Sequence, residues 1–197
     1  VHTALSGLLR AGDHLVAGRA LFGSCNWIVQ NWLPRFGVET TLVDATDLKA
    51  WEAAMRPNTK AVLLESPANP LLEITDIAAV AKIAHAAGAK VVVDNVFATP
   101  IFQKPLELGA DVVVYSATKH IDGQGRVLGG AILGGKDLLE EAYRDIIRHT
   151  GPALSPFNAW ILLKGLETLD LRVRRETDSA AALADQIGDH KAVKRVL

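Results

Sequence analysis

Apolar residues along this chain come in short, nearly unbroken runs, separated by stretches of helical spacing. The runs are His14–Ala17, Glu39–Val43, Ala61–Glu65, Lys90–Asp94, Asp111–Tyr115 and Gly130–Leu133. Continuous apolar runs such as Val91-Val92-Val93 and Val112-Val113-Val114 predict strands covered on both faces, because a strand with one wet face alternates. Helical patterns fill the intervals. One opens at Thr75-Asp76-Ile77-Ala78 with a capping residue and closes at Gly88. Another spans Lys136–His149, its acids early and Arg144, Arg148 and His149 late, as the helix dipole favours. After a break bracketed by Pro152 and Pro156, one long helix is expected from about Pro156 to Ile187. Val1–Leu9 reads as part of an apolar helix, and Val193–Leu197 as the opening of a strand. Strands alternating with helices predict an α/β fold, a mostly parallel sheet between helical layers.

Composition narrows the function more than the fold. Hydrophobic residues make up 49% and charged residues 22%, which supplies a core without marking a membrane or disordered chain. The net charge of −1 gives no electrostatic case for nucleic acid or an anionic membrane. The densest basic group, Arg172, Arg174 and Arg175, sits in a helical pattern and is followed by Glu176. No run reaches the roughly 18 to 20 apolar residues of a membrane span. A single cysteine, Cys25, excludes an internal disulfide and fits a reducing, cytoplasmic setting. Cys25 reads as a buried residue rather than a reactive one.

The chemistry gathers where two apolar runs end. One stops at Asp94; another runs into Tyr115-Ser116-Ala117-Thr118-Lys119-His120. In open α/β sheets ligands bind beyond the carboxyl ends of the strands. Each group alone has a plainer reading: Asp94 as a turn former or cap, Lys119 as a solvated loop residue, Ser116 and Thr118 as local backbone caps. Together, followed by the glycine-rich Asp122-Gly123-Gln124-Gly125-Arg126, they match what pyridoxal phosphate needs: an amine for its aldehyde, an acid for its ring nitrogen, donors for its phosphate. Lys119 would form the Schiff base and then move protons on the substrate, aided by partial desolvation of its amine. Asp94 would keep the ring nitrogen protonated. Ser116 and Thr118 would donate to the phosphate.

Competing motifs fail on context. Ser116-Ala117-Thr118-Lys119 fits S-x-x-K, but the S-D-N and K-T-G tripeptides that accompany it are absent. Gly123-Gln124-Gly125 with Gly129 is one residue too long for G-x-G-x-x-G and precedes a strand instead of following one. Neither H-E-x-x-H nor a cysteine pair occurs and the six histidines are dispersed, so no metal site is expected.

The stretch from Asp111 through Lys119-His120-Ile121-Asp122-Gly123-Gln124 resembles the cofactor-attachment signature of the pyridoxal-phosphate enzymes of cysteine and methionine metabolism. Further blocks carry the likeness through nearly the whole chain: Glu65-Ser66-Pro67-Ala68-Asn69-Pro70, Val93 to Pro100, Ser155-Pro156, and Gly165 to Leu169. The resemblance implies the large domain of a fold-type I pyridoxal-phosphate transferase. It places residues 1–187 in that cofactor-binding domain, lacking its N-terminal part, and residues 188–197 at the start of a C-terminal domain. It agrees with the roles given to Lys119, Asp94, Ser116 and Thr118, and adds Asn69 as a contact for the substrate carboxylate or cofactor edge. By sequence alone Asn69-Pro70 is a turn.

One departure stands out. Most relatives carry a Tyr that stacks on the cofactor ring and can help the leaving group depart; the matching segment here is Leu21-Phe22-Gly23-Ser24-Cys25, which puts Phe22 in that place. Phe keeps the stacking face and has no proton to give. The wording from Lys119 to Gly130 is most similar to the O-succinylhomoserine sulfhydrylase branch. That implies γ-replacement: an O-acylhomoserine and sulfide giving homocysteine, in methionine biosynthesis. Cystathionine γ-synthase chemistry, lyase chemistry of the same family, and a non-catalytic remnant of the fold are the alternatives. The family precedent is a homotetramer with active sites shared between subunits. By the same likeness, other phosphate and carboxylate contacts would lie before Val1, after Leu197 or on a neighbouring subunit, so the chain as given is expected to be incomplete as a catalyst.

Overall fold

The computed structural model describes residues 1–196. Six strands, β1 (His14–Gly18), β2 (Glu39–Val43), β3 (Thr59–Glu65), β4 (Lys90–Asp94), β5 (Val112–Ser116) and β6 (Gly130–Gly134), form one sheet in the order β2-β1-β3-β4-β5-β6. All pairs from β2 to β5 are parallel. The edge strand β6 runs the other way, with Gly130 beside the Tyr115 carbonyl and Gly134 beside that of Asp111. The six runs read from the pattern are the six strands. The direction of travel across the sheet turns back between β1 and β3, the kind of point where such sheets open a ligand crevice.

Successive residues of a strand face opposite layers. Leu15, Ala17, Leu63, Val92, Val112 and Val114 join one core with Ala4 and Leu5 of α1 (His2–Leu8) and Tyr143 of α6 (Lys136–Thr150). Tyr143 donates its hydroxyl to the Ala4 carbonyl at 3.1 Å, and its ring lies so near Gly7 that a Cβ there would come within 2.5 Å. The intervening residues Val16, Val62, Leu64, Val91 and Val93 are equally buried. The layer carrying α3 (Leu48–Ala54) and α4 (Ile77–Ala86) contributes Trp51, Val80 and Ala84, all without exposure. Local chemistry sets these helices. Asp47 takes the Lys49 amide at 2.9 Å, and Asp76 takes that of Ala79 at 2.9 Å. Gly88, at φ +75°, then ends α4 in a conformation that penalises a side chain. Two short helices at the strand ends, α2 (Gly23–Trp27) and α5 (Thr99–Phe102), have too few turns to show a period, and the pattern did not reveal them.

The chain gathers into two compact units, the first Val1–Tyr115 with Gly130–Ala153, the second Ser116–Gly129 with Leu154 onward. In the second, the single helix expected from Pro156 to Ile187 is two: α7 (Pro156–Leu166) and α8 (Leu169–Gly188). Ser155 caps α7 by accepting the Asn158 amide at 3.1 Å. The break has a tertiary cause. Gly165 packs so tightly on the Ile121 carbonyl that no Cβ fits, and its own carbonyl is taken by Arg172 at 2.9 Å and by the Thr168 amide. The strand expected at Val193–Leu197 does not form over 193–196, where the chain turns with the Val193 amide on the His190 carbonyl at 2.8 Å; Leu197 lies outside the described residues. Among the described residues no helix is long and apolar enough to cross a membrane.

Candidate active site

Asp94 closes β4 and is 7% exposed. Its carboxylate accepts the Val96 amide at 3.1 Å and, more weakly, the Cys25 thiol at 3.9 Å. Among the described residues it has no ion-pair partner within 4 Å, so burial pushes its pKa above the ordinary carboxylate value. A buried carboxylate without a cation is costly to keep, and a ring N–H with positive charge is what would settle it. The same burial, reinforced by the Asp94 charge, pushes the Cys25 thiol up to about 12. A thiol so far from ionising is not a nucleophile, in keeping with the packing role read for it.

One strand over, Glu65 closes β3 and is 4% exposed. One of its oxygens accepts the Phe22 amide at 2.7 Å and the other accepts the Asn69 amide at 3.1 Å. Burial raises its pKa to about 7; the two amides pull it down and the neighbouring Asp94 pushes it up. Phe22 sits at the N-cap of α2 with 46% exposure, so its ring is not spent on core packing. Asn69 is half-buried in the turn after β3. The first unit thus brings Asp94, Phe22, Asn69 and Cys25 together around Glu65.

Asn95, fully buried, ties the strand ends to one another. Its side-chain amide donates to the Tyr115 hydroxyl at 2.8 Å and to the Thr99 and Gln103 carbonyls; Gln103 returns a bond to it and donates to the Ser66 carbonyl at 2.7 Å. The register of β4 and β5 pairs Asp94 with Val114, two residues before Ser116.

In the second unit the loop from Ser116 to Gly129 is built from its own backbone. The Lys119 amide donates to the Ser116 carbonyl at 3.1 Å, and the Gly123 amide to that of Lys119 at 2.7 Å. Lys119 is exposed, so the partial desolvation expected of its amine is not found here: it stands on a loop, where no packed layer covers it. Thr118 is engaged locally, its hydroxyl accepting the Gly129 amide at 3.0 Å and donating to the Gly129 carbonyl at 3.3 Å. Ser116 is half-buried. Asp122 anchors the far side of the loop: burial would raise its pKa, but the Arg126 amide at 2.7 Å and guanidinium at 2.9 Å hold it below the usual range. Arg172 of α8 then grips the loop from outside, donating to the His120 carbonyl at 2.8 Å and more weakly to that of Ile121.

Comparison with known proteins decides the family. The model of the Cys/Met metabolism PLP-dependent enzymes matches residues 1–197. The chain belongs to that family. O-succinylhomoserine sulfhydrylase of Mycobacterium tuberculosis is 57% identical over 196 residues, covering 100% of this chain and 48% of that protein. The Pseudomonas aeruginosa protein of the same name is 50% identical over 189 residues, covering 96% and 47%. Among solved structures, cystathionine γ-lyase from Lactobacillus plantarum complexed with L-serine superposes with a TM-score of 0.92 at 40% identity, covering 95% of this chain and 49% of that one. The chain therefore spans about half the length of the curated relatives it matches. The cofactor of the family is pyridoxal phosphate, and a buried carboxylate at the end of β4, its pKa raised by desolvation, fits its ring nitrogen. Sequence reasoning did not single out Glu65, Asn95 or Arg172 for any role. A Glu ending a strand and an Arg in a charged helix show no period of their own, and the backbone groups of Phe22, His120 and Ile121 that they meet lie more than forty residues away.

Proposed function

We propose that this family member performs γ-replacement on O-succinylhomoserine with sulfide, forming homocysteine. The buried carboxylate of Asp94, with no ion-pair partner within 4 Å among the described residues, carries the reading, because a ring N–H with positive charge would satisfy it. Bound pyridoxal phosphate supplies an electron sink for charge that develops on the substrate α-carbon. On this reading Asp94 holds the proton on the ring nitrogen, and Lys119 attaches the cofactor and moves the α-proton. Ser116 donates its hydroxyl to the phosphate; Thr118 does so by giving up its weak bond to Gly129. Phe22 covers the ring face and Asn69 meets the substrate carboxylate or cofactor edge. We further propose that residues 1–187 form most of the cofactor domain, with a C-terminal domain starting at about 188, and that the protein works in the cytoplasm as a homotetramer with shared sites.

Support for an acyl-ester substrate over a thioether one comes from Phe22, which has no hydroxyl to protonate a departing thiolate. Succinate leaves without that help. The test is turnover: purified protein with pyridoxal phosphate, O-succinylhomoserine and sulfide is expected to yield homocysteine, and Lys119→Ala is expected to lose both product and the visible absorbance of the attached cofactor. Release of 2-oxobutyrate from cystathionine or methionine, without homocysteine synthesis, would assign the lyase activity instead. Cysteine replacing sulfide as the preferred nucleophile would assign cystathionine synthesis.

A further inference from the structure

Glu65 has work that the reaction does not explain. It ends β3, and β3 meets β1 where the strand order turns back, so the segments leaving these two strands flank the crevice of the sheet. Phe22 lies on the segment after β1 and Asn69 on the segment after β3. Each carboxylate oxygen takes one amide, Oε2 from Phe22 and Oε1 from Asn69. Both bonds go to backbone, so they set where the chain runs, whatever side chain stands at position 22. The carboxylate is buried and faces Asp94 from β4, a like charge, with the Cys25 thiol of α2 beside them and the amino terminus of the chain, ahead of α1, acting on Asp94 and Cys25. An apolar side chain would fill this place without that desolvation penalty.

We propose that Glu65 is a positioning residue whose single carboxylate fastens the Phe22 segment to the Asn69 turn and so holds both walls of the cofactor and substrate crevice at a fixed separation. Ionised, it accepts an amide on each oxygen. Protonated, one oxygen becomes a hydroxyl and a weaker acceptor, so the fastening loosens as the carboxyl gains its proton. That happens within the working pH range, since burial lifts this carboxyl to about 7. The Cys25 thiol stays protonated there, which leaves Asp94 as the neighbouring charge that tunes the change. The functional consequence rests on the reading that Phe22 and Asn69 line the site; the fastening does not.

Amide hydrogen exchange on the purified protein from pH 5.5 to 8.5, corrected for intrinsic exchange rates, tests this directly. The Phe22 and Asn69 amides are expected to lose protection together, by about tenfold, as pH falls through about 7, the worth of a bond to a charged acceptor. Val62 and Val92, inside the strands, are expected not to follow. In Glu65→Gln both amides should stay weakly protected at every pH. With pyridoxal phosphate bound, the variant's KM for the amino-acid substrate should rise more than its kcat falls, and lose its pH step near neutrality. Protection at the two amides that ignores pH in the wild type, or that survives in Glu65→Gln, overturns the proposal. If the variant does not fold, the wild-type exchange profile decides alone. A clear exchange step with no turnover of O-succinylhomoserine would sink the proposed reaction and leave the fastening intact.

Discussion

Asp94 and Glu65 are the same kind of group a strand apart, and their surroundings separate their roles. Asp94 has one amide, a distant thiol and, among the described residues, no ion-pair partner within 4 Å. Glu65 has two good amides and is committed to backbone. The raised Glu65 pKa is also a statement about stability. The folded state binds the Glu65 proton more tightly than the unfolded chain does, so its contribution is fully present below the unfolded value of 4.5 and is lost as pH rises through about 7. The swing is on the order of 3 kcal/mol. His14 works in the opposite sense. Buried between Thr59 and Thr41, it is held neutral, with its pKa lowered by burial, and its contribution fades as pH falls below the usual imidazole value. Urea midpoints of the cofactor-free protein at pH 5 and 8, compared with those of Glu65→Gln, isolate the carboxyl because His14 is common to both. The wild type should gain stability relative to the variant on going from pH 8 to pH 5. An unchanged difference would show that Glu65 does not titrate in this range.

At the scale of elements, the loop bearing Lys119 is a length of chain without strand or helix, kept in place by side chains at its edges. Asp122 gathers it from within, and Arg172 pins it from α8 while also taking the Gly165 carbonyl that α7 would otherwise spend on continuing. One guanidinium therefore both breaks the long helix and holds the loop. Arg172→Ala should destabilise this arrangement by about 2 kcal/mol, the sum of a few modest hydrogen bonds to carbonyls. The sensitive measurement is exchange of the amides from His120 to Gly123, which should quicken relative to those of β3 and β4. Equal protection in variant and wild type would show that the loop holds itself. The strands and the helix capped at Asp76 and closed at Gly88 were legible because period and these capping residues act within a few residues. The break at Glu167-Thr168 was not, since it depends on Arg172 reaching back to a loop fifty residues earlier.

At the scale of the whole molecule, large apolar side chains remain on the surface of both units: Trp27 and Phe36 in the first, Phe157, Trp160 and Leu171 in the second, each 49% exposed or more. Trp27 and Phe36 each pack on Trp32, and Phe157 meets Trp160; contiguous apolar exposure marks surfaces that associate. Sedimentation at micromolar concentration is expected to show an oligomer, and a protein that stays monomeric through dilution and added salt would count against the proposed tetramer. The sequence by itself determined the α/β sheet, its six strands, the family and the candidate residues Asp94, Ser116, Thr118 and Lys119, because apolar runs, caps and an ordered signature are all encoded over short stretches. Only the tertiary structure decided that Asp94 is buried with no ion-pair partner within 4 Å among the described residues, that Thr118 is bound to Gly129, that Lys119 stands exposed, and that Glu65 joins Phe22 to Asn69. Those facts depend on desolvation and on backbone groups brought together by the fold, from eleven residues away for Gly129 to forty-three for Phe22, and no local pattern of side chains records either.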